Sequence, residues 1–145
     1  MQCIHYGNDH FDKSWMLSIK NDVNFTKPFG GLWASRTDTK FGWSDYCRLN
    51  GLQSYLEKCF IFGIDDSARI LRIKSTRDLD NLPKLGNSGF GNVWVSLDFE
   101  KMARYYDVIE VVVSEDEVLR RQLYGWDCDS ILVTNPDIIK LIGGV

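Results

Sequence analysis

Three short stretches of this chain carry side chains suited to chemistry: His5 to Gly7, Gly31 to Tyr46, and Asp127 to Pro136. The middle one belongs to the run KPFGGLWASRTDTKFGWSDY, Lys27 to Tyr46. Gly30 and Gly31 have no Cβ, so the backbone there can turn freely or approach another group closely. Phe41, Trp43 and Tyr46 are flat, wide side chains able to stack on a planar ring. The same run can be read as a β-turn entering an aromatic-rich helix, because aromatics at near-helical spacing usually build core. His5 stands near the end of a strand and needs a partner from elsewhere to be more than structural. Asp127 and Asp129 flank Cys128 just ahead of an apolar run; a carboxylate at that point either works in a site or caps a turn.

The elements that must position these groups follow from patterning. Gln2 to Tyr6 reads as a first strand, with Cys3 and His5 on one face and Ile4 and Tyr6 on the other. Phe11 to Ile19 predicts a short helix capped by Asp12, Asn21 to Pro28 a loop, and Leu32 to Ser35 a brief strand. Ser44 to Lys58 has helical spacing that Gly51 weakens without ending. Cys59 to Ile64 and Ala68 to Lys74 fit an antiparallel pair turned at Asp65 and Asp66. Ser75 or Thr76 caps a helical turn running to Pro83, and Gly86 to Gly91 is a loop. Val93 to Val95 is a candidate strand, Leu97 to Tyr105 a helix, and Glu115 to Leu123 helical or loop. Val108 to Val113 is nearly all β-branched; its lone charge, Glu110, must sit at an edge, in a cleft, or be paired. Ser130 to Val133 is a strand ended by Asn135 and Pro136, and Asp137 to Ile142 offers one more. The sum is an α+β domain: a mostly antiparallel, split sheet of six or seven strands with about three helices.

A length of 145 residues, 44% of them hydrophobic, suits a single domain over positions 1 to 145 with one buried core. The net charge of -3 argues against non-specific coating of nucleic acid, which needs dense Lys and Arg. Cys3, Cys47, Cys59 and Cys128 form no CxxC pair and sit at no zinc-type spacing with histidine, so no metal site is expected. Without a basic N-terminal start or a long apolar run, a cytoplasmic protein with no membrane partner is expected.

Taken in order, His-x-Gly, then GLWAS followed by aromatics, then DCDSILVTNPDII resembles the ADP-ribosyltransferase superfamily, in its branch with a histidine, tyrosine and glutamate triad. In that branch a first strand carries His-Gly, a second reads Gly-x-Tyr-Phe-Ala ahead of serine and tyrosine, and a later strand opens with the catalytic glutamate. The resemblance spans Gln2 to about Ile142 and rests on short motifs. Tyr6 separates His5 from Gly7 here, and the glutamate position holds Asp129, one methylene shorter.

The resemblance implies that NAD is the substrate, with His5 on a ribose hydroxyl and Tyr6 and Gly7 beside it. Gly31, Leu32, Trp33 and Ser35 would form the wall next to the nicotinamide, and Tyr46 or Trp43 would stack on its ring. Asp129 would be the catalytic carboxylate with His5 and Tyr46, and Glu110, Asp107 and Asp127 are its rivals. Arg36, Lys40 or Arg48 would meet the pyrophosphate. A fixed carboxylate would stabilise the oxocarbenium-like charge that develops as nicotinamide leaves. The function implied is transfer of ADP-ribose to a protein or nucleic acid, as a toxin or phage-defence factor with an antitoxin or regulatory partner. Two alternatives are a catalytically inactive module that binds a nucleotide or a protein, and an NAD glycohydrolase.

Overall fold

The computed structural model describes residues 1–22, 26–86 and 94–142. Seven strands, β1 (Gln2–Tyr6), β2 (Leu32–Arg36), β3 (Cys59–Ile64), β4 (Ile70–Ile73), β5 (Val108–Val111), β6 (Ser130–Val133) and β7 (Ile139–Leu141), form one open sheet in the order β4-β5-β6-β2-β1-β3-β7. Every neighbouring pair is antiparallel except β4 and β5. Three helices accompany the sheet among the described residues: α1 (Trp43–Leu49), α2 (Phe99–Met102) and α3 (Glu117–Gln122). The architecture is α+β.

One apolar layer, including Ile73, Ile109, Val111, Leu132, Phe99, Leu119 and Trp126, joins α2 and α3 to the sheet. A second gathers Cys3, Leu32, Phe62, Val108, Ile131 and Val133. The strands between the layers therefore alternate which of two cores each side chain enters, and β5 and β6 are buried at all four positions.

Several elements differ from those the sequence predicts. β3 and β4 do not pair: β3 lies between β1 and β7, whereas β4 runs parallel to β5 at the opposite edge. Asp65 does make the expected turn, accepting from the Ser67 N–H at 2.9 Å, but the chain then crosses to Asp107 instead of folding back. β5 offers Ile70–Ile73 a strand buried at every position, and Arg72 of β4 pairs there with the Glu110 carboxylate. The Phe11 to Ile19 segment makes only a single 3-10 turn at Lys13–Trp15, capped by Asp12 as expected. The helix expected to reach Lys58 stops at Leu49, because Gly51 takes φ +70° and Leu52 N–H bonds back to the Cys47 carbonyl. Of the expected loop at 86–91, all beyond Gly86 lies outside the described residues, as does Val93; Trp94 and Val95 are in no strand.

Asp107 ties the start of β4 to β5 and to the end of β6. It accepts from the Arg69 N–H at 2.8 Å, from the Arg69 guanidinium at 3.0 Å and from Asn135 Nδ2 at 3.1 Å. These bonds, led by that from the Arg69 side chain, hold its carboxyl down at about 2 against an ordinary 3.8. Because the folded state lowers this pKa, the stabilisation is complete above 3.8 and lost as pH falls toward about 2. Across that interval Asp107→Asn should be less sensitive to acid than the parent by about 2 kcal/mol of unfolding free energy, measured by urea titration at each pH. Equal acid sensitivity of the two proteins would show that the Asp107 linkage contributes nothing.

Candidate functional site

The sheet is weakly sewn between β1 and β2. β1 pairs with β3 at five positions but with β2 at only two, Cys3 with Arg36 and Ile4 with Ser35. Beyond Ile4 the main-chain ladder ends, and the His5 imidazole takes over: its Nδ1 donates to the Trp33 carbonyl at 2.6 Å. That bond fixes the tautomer, leaving Nε2 to accept from Asn8 Nδ2 at 3.1 Å. Burial pushes the imidazole pKa down, against the opposing effect of the Trp33 bond, so His5 is neutral at neutral pH.

A cavity of about 380 Å³ opens where the strands part. Its wall includes His5, Tyr6 and Gly7 from the end of β1, Trp33 from β2, and Trp43 from the start of α1. Ser35, itself buried, does not line it but accepts the Trp43 N–H at 2.9 Å and so sets where α1 begins. Tyr46 stands one layer back, stacked on Trp43 with ring centroids 5.5 Å apart and planes at 22°. Trp33 packs on the buried Trp126 at 5.0 Å. Trp126 is core, Trp33 packs against the same core and also lines the cavity, and Trp43 lines the cavity and stacks on Tyr46.

Other expected contacts lie elsewhere. Leu32 is buried in the second core, and Gly31 packs where any Cβ would meet Leu132, Val133 and Ile19. The Gly7 N–H is committed to the Lys58 carbonyl at 2.9 Å. Arg36 pairs with Asp38 at 3.1 Å and with Glu110 at 3.3 Å, and Lys40 pairs with Glu115 at 3.0 Å. Arg48 is exposed on α1 and does not line the cavity.

The acids separate by occupation. Glu110 is buried and paired with both Arg36 and Arg72, so the lone charge of β5 is neutralised within the fold. Asp107 is held as described above. Asp129 is buried, with one carboxylate oxygen accepting the N–H groups of Val113 and Ser114, each at 2.9 Å. Its other oxygen accepts the Ser114 hydroxyl at 2.7 Å and the Thr39 hydroxyl at 3.2 Å. Cys128 and Ser130 line the cavity, whereas Asp129, between them in an extended chain, is not among its lining residues. Asp127 makes no hydrogen bond or ion pair among the described residues. Its charge is the largest cause pushing the Tyr46 phenol pKa up.

Besides the expected His5, Tyr6, Gly7, Trp33 and Trp43, the described wall holds residues that the sequence assigned to no site, among them Lys27, Tyr55 and Cys128. The Cys128 thiol is pushed up to about 11 by burial, so it is a protonated, unreactive lining group. No protein-family model matches the chain, and no curated protein or solved structure does so either.

Proposed function

We propose that this domain binds NAD in the cavity between β1 and β2 and transfers its ADP-ribose to a macromolecule, releasing nicotinamide. The observation that carries the reading is the convergence of His5 from β1, Trp33 from β2 and Trp43 from α1 on one cavity, with Tyr46 stacked on Trp43. Such a site offers flat faces for a planar ring and a neutral imidazole edge for a hydroxyl. The carboxylate we assign to the leaving step is Asp127, since Glu110, Asp107 and Asp129 all have their oxygens engaged within the fold. A negative charge there would oppose the positive charge that builds on the ribose as the glycosidic bond breaks.

The test is release of nicotinamide from labelled NAD by purified protein supplied with cell lysate, followed by protease or nuclease treatment to find the acceptor. Asp127 is not itself a lining residue but adjoins Cys128, which is, so its charge acts on the cavity from beside the wall, and Asp127→Asn should lower turnover about tenfold to a hundredfold with the fold intact. Undiminished turnover in that variant would remove Asp127 from the reaction.

A second reading has its own support. No carboxylate is among the described residues lining the cavity, which suits a module that holds a nucleotide without cleaving it. NAD binding without nicotinamide release, across candidate acceptors, would favour that module; NAD consumed with no macromolecule labelled would point to a glycohydrolase.

A further inference from the structure

The cavity carries one fixed charge, and it is positive. Among the described lining residues Lys27 is the lone Lys or Arg, and none is Asp or Glu. His5 is neutral at neutral pH and the Cys128 thiol keeps its proton. In a chain of net charge -3 this is a local reversal of sign. The Lys27 ammonium lies 5.5 Å from the Trp33 ring centroid and 6.0 Å from that of Trp126, and makes no hydrogen bond or ion pair among the described residues. Two indole faces steady the cation but accept none of its N–H bonds in the plane of a lone pair. Its donors are therefore available to a ligand.

The lysine is also held in place. Thr26 is 3% exposed, donates its hydroxyl to the Tyr124 carbonyl, and accepts the Trp126 indole N–H at 3.1 Å. Pro28, on the other side, is buried and lines the cavity. With both neighbours fixed, Lys27 gives up little backbone freedom when it engages a ligand.

We infer that the cavity selects a phosphate-bearing nucleotide, with the Lys27 ammonium on the phosphate and the faces of Trp33, Trp43 or Tyr55 on a planar ring. This deepens the function proposed above and rests on it only in taking NAD as the ligand. An ammonium is a point charge suited to phosphate oxygens, and a charge-assisted bond in a half-enclosed aromatic site is worth about tenfold to a hundredfold in affinity.

The experiment is calorimetry on the full chain with ligand pairs that differ only in phosphate, ADP against adenosine and nicotinamide mononucleotide against nicotinamide riboside. The parent should bind the phosphorylated member at least about tenfold more tightly. Lys27→Met, which keeps the stem over the indoles, should erase that preference while leaving nucleoside affinity within about twofold, and Lys27→Arg should restore most of it. Affinity of the parent for ADP should also fall as salt rises, a readout that needs no variant. Absence of a phosphate preference, equal losses for both members of a pair in Lys27→Met, salt-independent ADP binding, or no binding of any of the four ligands would overturn the inference. Lys27-dependent nucleotide binding without nicotinamide release keeps the inference and sinks the transferase; NAD turnover unaffected by Lys27→Met does the reverse.

Discussion

Asp129→Ala should lower the unfolding free energy by about 3 to 5 kcal/mol, read as a shift in urea midpoint at constant slope. The carboxylate it removes is 6% exposed and gathers four donors from two segments. Val113 and Ser114 lie just past β5, and Thr39 belongs to the turn between β2 and α1. The Asp129 N–H also donates to the Phe41 carbonyl at 2.9 Å. Removing the side chain leaves two backbone N–H groups in a water-poor place with no replacement acceptor, and each such group costs about 1 to 3 kcal/mol. Asp129→Asn keeps one acceptor oxygen and should cost less, about 1 to 2 kcal/mol. A loss below about 1 kcal/mol in the alanine variant would mean that the two segments are held by something else. If Asp129→Asn kept its stability and lost NAD turnover, the acid would belong to the reaction after all, and the assignment to Asp127 would fall.

Gly30→Ala should cost about 3 kcal/mol or more, and its comparison with Gly51→Ala separates two causes. Both glycines have positive φ, +84° and +70°, where an L side chain is strained by roughly 1 to 2 kcal/mol. A Cβ on Gly51 would meet nothing within 4 Å, so Gly51→Ala reports the backbone strain alone. A Cβ on Gly30 would collide with the Ser18 carbonyl oxygen and come to 2.7 Å from its carbon, both main-chain atoms that cannot rotate away. The surrounding segment is drawn shut by the Gly31 N–H on the Leu17 carbonyl at 2.8 Å and by the reciprocal bonds between Lys20 and Phe29. Gly30→Ala must open that closure, and with it the run that carries Lys27. Equal losses for the two variants in chemical denaturation would show that the close approach is not maintained in solution.

The glycine pair and the acid illustrate different kinds of legibility. Two adjacent glycines ahead of a short apolar strand already signal a close backbone approach, because a missing Cβ is a property of the residue itself. The aromatics at Trp33 and Trp43 fit core as well as a ligand wall by type and spacing, and only the packing places both at the cavity. Asp129 was not legible in the same way. Its neighbours Cys128 and Ser130 line the cavity, so a displacement of one residue in an extended chain moves a carboxylate from the site to a buried clamp. Which of the two outcomes holds depends on the pairing of β6 with β2, set by Leu32 opposite Val133 and Ala34 opposite Ile131.

What the amino-acid sequence determined by itself is the strands at 2–6, 32–36, 59–64, 70–73, 108–111 and 130–133, while the helix lengths were left to the packing. The β-branched runs made strands, Asp12 capped the turn it was suited to cap, Asn135 and Pro136 ended β6, and the α+β class followed from their tally. The tertiary structure alone decided the partners. β4 joined β5 in parallel because a strand buried at every position, with Glu110 to pair Arg72, outweighed a nearby hairpin turn. Arg36 was drawn to Glu110, 74 residues away, because a buried carboxylate needs compensation. Lys27 became the charge of the cavity because Trp126, far along the chain, anchors Thr26 beside it. Side-chain type and spacing encode what a residue can do; only packing over long chain separations fixes what it is left free to do.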